Sequence, residues 1–285
     1  MANITAHQSN QITKMLLIGH SGTGKTGALA SLAAAGYKLR ILDLDNGLDV
    51  LKSYVTDPDS RYVKENPRCA ENVEFVTLTE VKKSVNGRIV SAKATVWPRM
   101  VTLLSKWVDG DTDLGAPSSW GSDCILVLDS ITAAARAALD YHLQLNGALL
   151  ATRTQNEARR DIGAAQDYLR TLFDMFKDAS MNTNIIAISH ITSVNEAGYG
   201  PQNEETKGEP TTGFPSAIGR ALSPQIPQFF NTVLHTKAIG PKLTILTKTT
   251  GEVCTKNSNP MKVAPSYSIE TGLAQYFAAV QEKKE

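Results

Sequence analysis

The octet Gly19-His20-Ser21-Gly22-Thr23-Gly24-Lys25-Thr26 constrains this chain more than any other segment. It satisfies G-x-x-x-x-G-K-[S/T], and its flanks are those the pattern needs. The apolar run Lys14 to Ile18 reads as a buried strand, and Thr26 to Ala35, rich in Ala and Leu, reads as a helix. Between them the glycines let the backbone curl so that successive N–H groups converge, and the helix start adds its positive end. Such a loop cradles the phosphates of a nucleoside triphosphate. Gly19, His20, Ser21, Gly22, Thr23, Gly24 and Gly27 frame the cradle, Lys25 reaches the β- and γ-phosphates, and the Thr26 hydroxyl ligates Mg²⁺.

A second acid belongs to the same chemistry. Cys124-Ile125-Leu126-Val127-Leu128-Asp129 is an apolar strand ending in a carboxylate, followed by Ser130. Alone the pattern is common; downstream of a phosphate loop it places Asp129 beside Mg²⁺ and its water shell. ATP and Mg²⁺ are the expected cofactors.

Strands and helices alternate, which favours a mostly parallel sheet with helices on both faces. Further strands are expected at Lys38 to Asp43, Val73 to Leu78, Asn184 to Ser189, Thr232 to Thr236, Lys242 to Lys248 and Glu252 to Lys256. Helices are expected at Pro98 to Val108, Ile131 to Leu145, Asn156 to Ala179 and Glu270 to Gln281, with a loop from Asp109 to Ser122. Residues 191–224 lack periodicity and read as a mobile functional loop. Residues 81–95 read as a hairpin insertion, because Asn86-Gly87 separates two β-prone arms. From 81 to 93 this insertion carries Lys82, Lys83, Arg88 and Lys93 and no acid; a solvated edge hairpin is the expected reading, with a nucleic-acid contact as its alternative. The expected organisation is a flexible arm, 1–12, then one core, 13–285.

Composition excludes little beyond that. The 285 residues are 42% hydrophobic and 20% charged with a net charge of +1, so nucleic-acid contact must come from local patches. No apolar run approaches a membrane span, no signal peptide is evident, and Cys69, Cys124 and Cys254 suit a reducing cytoplasm.

With both phosphate motifs placed, the chain resembles the RecA-like ATPase core, which includes recombinases, DnaB-type helicases and KaiC-type ATPases, over roughly residues 13 to 265. The resemblance implies an α/β RecA-like P-loop NTPase with antiparallel strands at its C-terminal edge. It implies ATP over other nucleotides, and a catalytic carboxylate at Asp45, where relatives usually carry Glu; the shorter arm predicts slow hydrolysis. It places His190 at the γ-phosphate sensor position, where relatives have Gln. Lys248 and Lys256 match cations that act on a neighbour's ATP, although Ser258 stands where an arginine is usual. Of the two DNA-binding loops, one falls near Asn146 to Arg160, with Arg153, Arg159 and Arg160, and these also suit a solvated helix face. The other, Thr192 to Arg220, offers Lys207 and Arg220 against Glu196, Glu204, Glu205 and Glu209, a poor surface for a phosphate backbone.

The overall pattern looks most like core-only ATPases of bacteriophages that act in recombination and single-strand annealing. That resemblance implies single-stranded DNA, further copies of this chain and a single-stranded-DNA-binding protein as partners, no membrane, and the bacterial host cytoplasm as location. A ring-forming DNA motor shares the same core, and a nucleotide-switched protein-binding module fits the acidic loop.

Overall fold

The computed structural model describes residues 3, 12–85, 87–147, 153–195, 211–251 and 253–281. The 1–12 arm apart from Asn3 and Ile12, the Asn86 turn position, Lys207 and the four loop glutamates lie outside the described residues.

From the N-terminus the elements are β1 (Lys14–Gly19), α1 (Lys25–Ala34), β2 (Lys38–Asp43), α2 (Asp49–Thr56), α3 (Arg61–Glu65) and β3 (Val73–Thr77). Then come β4 (Lys82–Val85), β5 (Arg88–Ser91), α4 (Val96–Ser105), β6 (Trp107–Asp109), β7 (Thr112–Gly115) and β8 (Cys124–Asp129). The second half holds α5 (Ile131–Leu145), α6 (Gln155–Lys177), β9 (Asn184–Ser189), β10 (Ile191–Asn195), β11 (Thr211–Pro215), β12 (Thr232–Ile239), β13 (Lys242–Leu246), β14 (Ser266–Ser268) and α7 (Gly272–Val280).

Eight strands form one sheet in the order β14-β13-β12-β1-β9-β8-β2-β3. The six from β12 to β3 are parallel, and β13 and β14 join antiparallel. This is the α/β, RecA-like sheet with antiparallel C-terminal edge strands. Its central strands are buried on both faces, which is why they read as unbroken apolar runs. Alternation along β1 sorts the core: Leu16 and Ile18 pack on the side of α4, α5 and α6, while Met15 and Leu17 pack on the side of α1, α2 and α7. Both long helices on the first side are capped, α5 by Ser130 and α6 by the reciprocal Thr154–Glu157 box.

Several local expectations give way. The expected Asp109–Ser122 loop contains β7, which closes a hairpin with β6, and Trp107 meets Trp120 edge-on at 5.5 Å. Of the strand expected at Glu252 to Lys256, Glu252 lies outside the described residues, and among the described ones Val253 and Lys256 make isolated bridges while the sheet's edge is the three-residue β14. The flanks of the 191–224 loop pair with each other as β10 and β11. Asp49 to Glu65, unassigned from sequence, forms α2 and α3.

Candidate nucleotide site

The phosphate loop joins the end of β1 to the start of α1, and its neighbours leave it no latitude. A side chain at Gly19 would overlap Thr236 Oγ1 and come within 2.6 Å of Thr23 Oγ1. Gly24 has φ +82°, and a Cβ there would lie 2.9 Å from Ile269 Cγ1. Thr23 Oγ1 donates to His20 O at 2.7 Å and shares a hydrogen with Thr236 Oγ1 at 2.7 Å, so β12 braces the loop from beside β1.

Lys25 is buried, and its Nζ donates to Gly19 O and His20 O, both at 2.8 Å. These are the carbonyls of the loop itself, and they hold the ammonium over the cradle. Burial pulls the Lys25 pKa down, against the charges of Asp129 and Asp45. Thr26 Oγ1 donates to Asp129 Oδ2 at 2.7 Å. Burial pushes the Asp129 carboxyl up to about 6, against that hydrogen bond, with Asp45 and Asp43 adding repulsion. A hydroxyl and a carboxylate, both oxygen donors and the latter short of compensating charge, fit a hydrated Mg²⁺. The Asp129–Ser130 peptide is cis.

Asp45 and His190 come to the same place from different strands. Asp45 is exposed past the end of β2, close enough for its charge to act on Lys25, Asp129 and His190. Asp43, which sequence reasoning left as a strand end, fixes that turn: it is buried and accepts from Thr77 Oγ1 at 3.1 Å and Gly47 N at 3.3 Å. His190 is half-buried between β9 and β10. Burial, then Lys25 and His20, lower its pKa against the pull of Asp45, so the imidazole is neutral at pH 7. The backbone of His190 is held at the open end of the β10–β11 hairpin: Ser216 N donates to His190 O at 2.7 Å, His190 N donates to Thr132 Oγ1 of α5 at 3.4 Å, and Thr132 Oγ1 donates to Ser216 O at 3.1 Å.

Sequence reasoning also missed Val50 and Tyr54, which stand exposed on α2 beside the first turn of α1. A Cβ at Gly27 would lie 3.1 Å from each of these side chains. Gly27 in that helix turn, opposite an apolar and an aromatic side chain one helical turn apart, was the available signal.

The remaining candidates lie elsewhere. Arg153 is taken up within the chain, donating from Nε to Asp161 Oδ2 at 2.9 Å, while Arg159 and Arg160 are exposed on α6. Arg220 is exposed before the 3-10 turn Ser223–Phe229. β13 starts at the phosphate-loop end of the sheet and runs away from it, so Lys248 follows its far end. Lys256 bridges to Val233 and donates from Nζ to Phe230 O at 2.7 Å. Both lysines are thus remote from this chain's own phosphate loop, and their expected role requires a neighbouring copy.

The family model for the AAA domain family AAA_24 matches residues 12–259. The chain belongs to this family. Two solved structures are similar to this AAA_24 ATPase. The RadB recombinase is 15% identical over 82% of this chain and 79% of that one, with a TM-score of 0.39. A prototypical ATPase from the type III secretion system of pathogenic bacteria is 12% identical over 80% of this chain, with a TM-score of 0.36; the match spans 52% of that chain. Neither likeness is close enough to transfer an activity. No curated protein matches the sequence. Among the described residues no helix is long and apolar enough to cross a membrane.

Proposed function

We propose that this AAA_24 ATPase binds single-stranded DNA under the control of ATP and Mg²⁺ and promotes annealing or recombination as a homo-oligomer, alongside a single-stranded-DNA-binding protein. One observation carries the reading. His190 shares the Lys25–Asp45 site, and its backbone closes the hairpin whose sequence resembles a DNA-binding loop. A contact made by its imidazole N–H to the γ-phosphate is delivered directly to β10 and β11.

The residues divide the work as follows. The backbone N–H groups from Gly22 to Thr26 and the Lys25 ammonium hold the phosphates and offset charge that grows during transfer. Asp45 orients the attacking water and accepts its hydrogen bond. Mg²⁺, held by Thr26 and through water by Asp129, would supply charge neutralisation at the β- and γ-oxygens. Val50 and Tyr54 offer the base an apolar platform. An aspartate at position 45 keeps hydrolysis slow, so ATP serves chiefly as a switch, with Lys248 and Lys256 of a neighbouring copy completing the site.

Fluorescence anisotropy with a labelled single-stranded oligonucleotide tests this, with no nucleotide, ADP or a non-hydrolysable ATP analogue, across a salt series. Binding confined to the ATP analogue and weakening as salt rises is expected. No binding in any state would overturn the reading in favour of a protein-binding switch, and fast DNA-stimulated turnover with unwinding would favour the motor.

A further inference from the structure

The β4–β5 hairpin forms a two-stranded sheet of its own, apart from the eight-stranded one. It therefore does not guard an edge of the main sheet, and a ribbon with four residues a side is not stable unsupported. Its support is α5. Ser91 Oγ donates to Asp140 Oδ2 at 2.8 Å, Lys82 Nζ donates to Ser91 Oγ at 3.0 Å, and Ala94 N donates to Gln144 Oε1. Arg136 sits 3.1 Å from the other Asp140 oxygen, so that acid is already matched at the dock. Lys83 and Lys93 remain exposed in a segment that has no acid of its own. Val81 and Ile89, 71% and 79% exposed, add apolar surface on opposite faces of the ribbon.

Below the hairpin's exit lies an open surface hollow of about 520 Å³, lined in part by Lys93, Thr95, Arg99 (itself paired with Asp109 at 2.6 Å), Thr102, Tyr141 and Gln144. A hollow of that size admits a single base at the surface. Tyr141 is half-buried, with its ring 6.2 Å from that of Tyr168, which in turn stacks on Trp97 at 5.8 Å. A chain with only 6% aromatic residues thus gathers three rings beside its most one-sidedly basic segment. The dock also falls on the last turns of α5, from which the chain passes toward α6 and its exposed Arg159 and Arg160.

We propose that the β4–β5 hairpin and the Tyr141 hollow form a contact for single-stranded DNA, distinct from the two loops that the resemblance implies. One unstacked base lies against Tyr141, Gln144 Nε2 offers a hydrogen bond to its edge, Lys93 in the lining faces a flanking phosphate, and Lys83 adds charge from the ribbon's other face. Stacking tolerates any base and lysines read only the backbone, so this contact carries no sequence preference. The inference rests on the single-strand-binding reading above.

The full chain with the ATP analogue and a labelled thymidine oligonucleotide provides the test, with Lys83→Glu/Lys93→Glu, Tyr141→Leu and Tyr141→Phe compared with the parent. The double lysine variant is expected to bind about 10-fold or more weakly and to show a shallower salt slope by about one to two. Tyr141→Leu should lose about 10-fold and Tyr141→Phe little, because the phenyl ring keeps the stack. A 4-thiothymidine oligonucleotide should photocrosslink to the peptide containing Tyr141, a readout that a merely loosened fold would not create. If the parent binds while the variants bind equally well and no crosslink maps there, the hairpin contact is wrong and the single-strand reading survives. If the parent itself does not bind, both fall together.

Discussion

Asp129 is a carboxylate kept in surroundings that favour its protonated form, since burial outweighs the hydrogen bond from Thr26 and the charge of Lys25. Its folded pKa of about 6 stands above that of an unfolded aspartate, about 3.9. Between those values the native state holds more protons than the unfolded one, so stability falls as pH rises through roughly 4 to 6 and stays lower above it. Asp129→Asn should therefore raise the melting temperature of the nucleotide-free protein at pH 7.5. The gain has an upper bound of about 3 kcal/mol, from a shift of about two pH units. It should vanish near pH 4, and ATPase activity should be largely lost. Melting curves at pH 7.5 and pH 4.5 check this; an unchanged melting temperature at pH 7.5 would mean that the ionised carboxylate is not strained. What sequence shows at this scale follows the same division. The meeting of Lys25, Thr26 and Asp129 is legible because compact motifs carry it. Asp43 is not, because its role depends on Thr77, which meets it only when β2 and β3 pair. Arg153 shows the opposite case: its charge looks unpaired in sequence, and folding brings Asp161 against it.

At the scale of elements, the phosphate loop is fixed by packing as much as by its own glycines. Gly19 is the end of a strand rather than a turn, and what excludes a side chain there is β12 across the ladder, with Thr236 in the way. Gly19→Ala should cost about 1–3 kcal/mol, the usual range for overpacking, and should lower nucleotide affinity by pushing Thr23 off its brace. Chemical denaturation and a fluorescent-nucleotide titration measure the two effects; a stable variant with parental affinity would show that β12 yields freely. The buried strands of the main sheet are legible because both faces are apolar, and the long helices because their periodicity runs through several turns. The failures are short elements whose pairing decides them. β6, β7 and β14 have three or four residues each, too few to show a period. Val253 to Lys256 has strand-like residues but enters Asn257, Ser258 and Pro260, and among the described residues two of its positions find isolated bridges.

The molecule as a whole places nucleotide chemistry at the ends of β1, β2, β8 and β9 and leads from it directly into β10 and β11. His190 is the junction, with its imidazole near enough to Lys25 and Asp45 to feel their charges and its main chain bonded to Ser216 beyond the hairpin. Thr132 ties the same junction to α5, which begins beside Asp129 and ends where the β4–β5 hairpin docks. Thr132 and α5 thus link the end of β8 at Asp129 to two outlying hairpins, and under the proposed function both should respond to the triphosphate. Because the His190 imidazole is neutral at pH 7, its contribution is a hydrogen bond rather than a charge, and a glutamine amide can replace it. Amide hydrogen exchange with the ATP analogue should therefore slow in β10 and β11 relative to ADP. Protection should persist in His190→Gln and disappear in His190→Ala, although nucleotide still binds to Lys25 and the loop backbone. DNA affinity should follow the same order, since a ligand shifts a conformational equilibrium only through contacts that differ between its states. If His190→Ala keeps both the protection and the nucleotide dependence, the coupling runs through α5 and Thr132 alone, and His190 is only a polar residue at the end of a strand.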